Sequence, residues 1–205
     1  TASFNTGLGS SSLGLNTTGA SNTAVGHNAL GGLTTRDSNV AIGKDSLRDL
    51  SSGAANVAIG LSAGMQQTTG SGSVNIGYLA GWVDSSSNNV IIGSAAFDAS
   101  NNSSSGNNVI IGNEASRGIN NANSTDNIVI GRGAGTGGAA EFTENIAIGS
   151  YALDATAGNA TTGDFLGSLS FQGYLNTANY SSAEARISGV AAANHTGSSA
   201  ATDMV

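Results

Sequence analysis

One short phrase, an Asn, three residues of β character and a Gly, with Ala or Ser three positions later, recurs at nearly constant spacing through most of the chain. Its glycines are Gly9, Gly26, Gly43, Gly60, Gly77, Gly93, Gly112, Gly131 and Gly149, separated by 17, 17, 17, 17, 16, 19, 19 and 18 residues. A unit of this length holds one strand and a return path. It cannot bury an apolar face alone, so successive units must stack and share a core. The pattern predicts an all-β parallel β-roll or β-solenoid of about nine rungs over residues 1–158, followed by a short non-repeat β segment over 159–205. At about 4.8 Å per rung, the roll would be on the order of 40 Å long.

Each column of the repeat has a physical reading. Immediately before the glycines stand Leu8, Val25, Ile42, Ile59, Ile76, Ile92, Ile111, Ile130 and Ile148, and two positions earlier stand Thr6, Thr23, Val40, Val57, Val74, Val90, Val109, Ile128 and Ile146. Side chains alternate along a strand, so these two columns share one face, and their branched character predicts that they line the solenoid core. The residues between them, Gly7, Ala24, Ala41, Ala58, Asn75, Ile91, Ile110, Val129 and Ala147, then point outward yet are largely apolar. An apolar column on both faces signals burial on both. The expectation is therefore a homotrimer, with the middle column at the trimer axis. Four residues before each Gly stands Asn, except at Ser73, which predicts a stacked amide ladder. The Ala or Ser after each Gly, such as Ala29, Ser46 and Ala63, reads as a small residue against the opposite wall.

Composition agrees with a thin core. Thirty-one glycines, no proline, no cysteine and 9% charged residues leave little for a thick globular interior. A formal net charge of −7 argues against nucleic acid as a partner, and the lack of a long apolar run argues against membrane insertion. Connectors such as Gly31 to Ser38 and Ala99 to Asn107 are polar and read as exposed outer turns.

The phrases NVAIGKDSL, NVAIGLSAG, NVIIGNEAS and NIAIGSYAL resemble the head repeats of YadA-like trimeric autotransporter adhesins. They resemble still more closely the NTAIG-x-x-AL repeats of bacteriophage tail fibres. The resemblance covers about residues 5–153 and implies a left-handed roll with three chains packed side by side, against the usual right-handed crossover preference. The repeats here are somewhat longer than in those adhesins, and no neck, heptad stalk or membrane anchor is evident, which disfavours a complete autotransporter. The segment from Gly163 onward resembles the stretch that precedes a C-terminal intramolecular chaperone in fibre and tailspike proteins. The chain therefore reads as a section of a longer polypeptide, a structural and host-attachment component of a phage tail fibre located on the virion. Its expected partners are other copies of itself, other virion tail proteins and a host surface glycan or protein. The alternatives are the head of a bacterial surface adhesin, on the cell surface, and a polysaccharide-degrading tailspike.

A search for chemistry finds little to support an enzyme. His27 and His195 are far apart, and Asp37, Asp45, Asp49, Asp84, Asp98, Glu114, Asp126 and Asp154 are spread over different rungs. No catalytic residue, cofactor or metal is expected. Glu114 and Arg132, on consecutive rungs, suggest a surface ion pair. The one distinctive place is Tyr78, Trp82 and Asp84, where aromatic rings beside a carboxylate form a possible glycan contact.

Overall fold

The computed structural model describes residues 2–98, 106–117, 124–136 and 143–152. The predicted C-terminal β segment, His195, Asp154 and most of the Ala99 to Asn107 connector lie outside the described residues. Among the described residues the fold is all-β, without a helix: a parallel β-solenoid. Nine three-residue strands, β1 (Thr6–Leu8), β2 (Thr23–Val25), β3 (Val40–Ile42), β4 (Val57–Ile59), β5 (Val74–Ile76), β6 (Val90–Ile92), β7 (Val109–Ile111), β8 (Ile128–Ile130) and β9 (Ile146–Ile148), form one sheet in sequence order. Every pairing is parallel and joins like positions of the repeat, as in Val40 with Val57, Ala41 with Ala58 and Ile42 with Ile59.

The glycine that ends each strand sets the register. These residues hold φ between 130° and 145°, a region that L side chains rarely adopt. They also stack directly on one another: a Cβ on Gly60 would lie 2.4 Å from the carbonyl oxygen of Gly77, and one on Gly112 would lie 2.2 Å from that of Gly131. No side chain fits there. Backbone in the left-handed region before the Asn, as at Ser21, Ser38 and Ala55, ends each strand on its other side, and further left-handed residues follow the Gly, as at Asn28 and Leu30. Among the described residues none of the non-glycine residues in this conformation is Val, Ile or Thr, in keeping with the steric cost of branching at positive φ.

The asparagine column is the polar spine of the interior. The amide N–H of Asn22 donates to Asn5 Oδ1 (2.8 Å), that of Asn39 to Asn22 Oδ1 (2.9 Å), that of Asn56 to Asn39 Oδ1 (3.0 Å) and that of Asn127 to Asn108 Oδ1 (3.0 Å). In the first turns Nδ2 also donates to a carbonyl of the returning chain: Asn22 to Arg36 (2.9 Å), Asn39 to Gly53 (3.1 Å), Asn56 to Gly70 (2.8 Å). The side chain thus bonds groups at a corner where backbone alone leaves them unpaired.

The same alternation corrects the assignment of faces. The middle column, expected at a trimer axis, lies inside the solenoid: Ala24, Ala41, Ala58, Asn75, Ile91, Ile110, Val129 and Ala147 are all buried within the single chain. The columns expected in the core face outward, with Ile42 39%, Ile59 37% and Ile148 52% exposed and Val25, Ile76, Ile92, Ile111 and Ile130 half-buried. Period two explains the reversal. A buried Asn four before the Gly requires the residue two before it to be buried as well, and sends the two branched columns to the other face. The interior is also too narrow for two rows of Ile and Val. It holds Ala against Leu, as with Ala41, Ala58, Leu30 and Leu47 in one cluster. Where Asn75 and Ile91 take the middle position, Gly64 and Gly81 make room: a Cβ on Gly64 would meet Asn75 Nδ2 at 2.9 Å, and one on Gly81 would meet Ile91 Cδ1 at 3.1 Å. The small column after each Gly is buried as expected, Ala29, Ser46, Ala63, Ala80, Ala96, Ala115 and Ala134 among it.

Candidate interaction face

Because the strands stack in register, the two outward columns become two continuous rows. One runs from Thr23 through Val40, Val57, Val74, Val90, Val109 and Ile128 to Ile146; the other runs from Val25 through Ile42, Ile59, Ile76, Ile92, Ile111 and Ile130 to Ile148. No charge and no amide interrupts either row. The eight strands β2 to β9, of three residues each, make a strip about 40 Å by 10 Å, roughly 400 Å². A contiguous apolar surface of that size matches the largest patch on a typical monomer, and such patches often mark an interaction site. A partly exposed parallel sheet is itself unusual, since parallel sheets are normally covered on both faces. Beside the strip, after the glycines, the side chains vary from exposed His27 and Lys44 to Leu61 and Tyr78.

The proposed glycan cluster does not assemble. Tyr78 is 52% exposed on the outer turn and Trp82 is half-buried, but Asp84 points inward and is 1% exposed. Its Oδ1 accepts from the Ser86 N–H (3.0 Å) and the Ser86 hydroxyl, and its Oδ2 accepts from Asn89 Nδ2 (2.8 Å). Burial lifts this carboxyl above the ordinary range, opposed by the hydrogen bonds from Ser86 and Asn89. The missed signal is the Ser73 exception. Asn108 Nδ2 bonds the preceding Asn89 Oδ1 at 3.1 Å, whereas Asn89 meets a serine in the previous turn and turns its Nδ2 to Asp84 instead. The carboxylate stands in for the absent ladder amide.

The surface ions also pair differently from the expectation. Glu114 binds Arg117 (2.9 Å), which also lies 4.0 Å from Asp98, while Arg132 sits over the Tyr151 ring, 4.7 Å from its centroid. Arg117 lies one turn of backbone from Glu114 and so reaches it without crossing rungs. Asp37, Asp45, Asp49, Asp98, Glu114 and Asp126 are all at least partly exposed. Among the described residues no group of three metal-ligating side chains converges, and no helix is long and apolar enough to cross a membrane. A shallow polar depression is lined by Thr69, Ser85, Ser87, Asn88 and Asn107, in the connectors that precede the strands.

No family model, no curated protein and no solved structure matches this chain.

Proposed function

We propose that the chain is a structural and host-attachment element of a phage tail fibre, in which three identical copies pack through their Val and Ile rows into a rigid shaft displaying the outer turns. The observation that carries this reading is the uninterrupted apolar face of the nine-stranded sheet, which a solitary chain would leave in water. Covering about 400 Å² of it at about 25 cal/mol/Å² corresponds to some 10 kcal/mol per chain before ordering costs. One strip is only about half of what each partner contributes to a standard interface, so the flanking turns take part as well. The threefold number comes from the resemblance of the repeats to trimeric fibre and adhesin sequences. The trimer axis thus passes along the outward rows and not along the buried middle column. Nine nearly equivalent strands suit a shaft, and no grouping of carboxylates among the described residues favours the polysaccharide-degrading alternative.

The absence of native cysteine provides a direct test. Ile59→Cys, on the outward row, is expected to form disulfides between copies under mild oxidation. Ala58→Cys, one residue away but inside, is expected to remain a free thiol. Failure of Ile59→Cys, together with Val57→Cys and Ile76→Cys, to cross-link in concentrated folded protein would refute the interface.

A further inference from the structure

The interior apolar packing is not continuous. One cluster contains Ala24, Ala29, Leu30, Leu33, Ala41, Leu47, Leu50, Ala58 and Ala63; the other begins at Ala80 and runs through Ile91, Phe97 and Ile110 to Ala147. Between them the buried positions are polar. Asn75 Nδ2 donates to Gln67 Oε1 (3.1 Å), while Asn75 Oδ1 is buried without a partner. Gln67 Nε2 donates to the Gly70 carbonyl (3.0 Å) and to Asn56 Oδ1 (3.3 Å). Here too the ladder changes chemistry: Ser73 N–H donates to Asn56 Oδ1 (2.9 Å), and Asn89 N–H donates to the Ser73 hydroxyl (3.2 Å).

Asp84 lies in this layer. The buried positions seven residues after the Gly read Leu33, Leu50, Gln67 and Asp84 along consecutive turns, so an apolar column gives way to an amide and then to a carboxyl. Asp84 is the only charged residue between Asp49 and Asp98. The groups bonded to it, Ser86 and Asn89, do not titrate, and no lysine, arginine or histidine contributes to its ionisation. Asp98, the next carboxylate along the chain, pairs with Arg117 at the surface.

We propose that the polar layer of Gln67, Asn75, Asp84 and Asn89 is a pH-governed joint between two separately packed cores, loosened when Asp84 is ionised and tightened when it is neutral. The mechanism is solvation. Local opening lets water reach the carboxylate, so the charged form gains more from opening than the neutral form does. With little apolar packing across the layer, the two sides can open as separate cooperative units. The joint is a property of the single coil, independent of whether the outer face binds other copies.

Hydrogen exchange of the full chain, read by mass spectrometry and expressed as protection factors to remove the intrinsic pH dependence, tests this. At pH 8 the β1–β4 and β6–β9 segments should exchange as two units, with the least protection around β5 and Asp84. Moving to pH 3.5, below the ordinary carboxyl value near 4, should raise protection at the layer, by about tenfold for each unit by which burial lifts the carboxyl, and merge the two units. Asp84→Asn should show the merged behaviour at both pH values. Uniform protection at pH 8, or a weak layer that persists unchanged at pH 3.5, would overturn the proposal. So would a folded Asp84→Asn variant with the wild-type pH profile. Should that variant not fold, the wild-type profile decides alone.

Discussion

Single side chains in this coil are specified by neighbours one turn away, because each residue sits on its own counterpart. Gly60 is the sharpest case. Gly60→Ala forces a Cβ toward the Gly77 carbonyl at a φ of 136°, and a loss of about 3 kcal/mol or more is expected, seen as a lower urea midpoint. Asn56→Ala removes the acceptor of the Ser73 N–H and a donor to the Gly70 carbonyl, both inside the coil. An unpaired buried group costs about 1–3 kcal/mol, so this variant should lose a comparable amount in the same assay. Asp84 carries the pH dependence. Its folded value is raised, so its favourable contribution is complete below the unfolded value near 4 and is lost as pH rises through the higher folded value. Thermal melts of Asp84→Asn against wild type should therefore diverge in favour of the variant toward neutral pH and converge at acid pH.

At the scale of the strand, two adjacent positions have opposite fates. Ala58→Leu places three extra carbons in a filled interior and should cost about 1–3 kcal/mol of chain stability. Ile59→Lys should leave the coil folded, by circular dichroism, while weakening association between copies. The contrast shows what the sequence makes legible. The repeat spacing, the terminal glycines and the Asn column predict strand positions, register and the amide ladder, because those features depend on backbone geometry that few residue types satisfy. The direction of each face is not legible from the branched character of the Ile and Val columns, which suits a strand on either face. The Asn column already held the answer by parity, since Asn39 and Ala41 must share a face. The polar layer was harder to see. In sequence Asp84 reads as the carboxylate of a glycan contact with Tyr78 and Trp82, and its burial follows only from the Ser73 exception, the run of Leu33, Leu50 and Gln67 before it, and the narrow space that stacking leaves.

At the scale of the whole molecule, a thin coil replaces a thick core with repeated hydrogen bonds and, on the proposed reading, with an outer surface shared between copies. Its small interior residues and its scarcity of charge leave an apolar face along the sheet, and the state of assembly depends on what covers that face. Sedimentation equilibrium of the soluble chain, alongside a Val57→Lys, Ile59→Lys double variant, measures this most directly. The prediction is a mass three times that of one chain for the wild type and a folded single chain for the double variant. A wild-type chain that stays folded and monomeric at high concentration would contradict it.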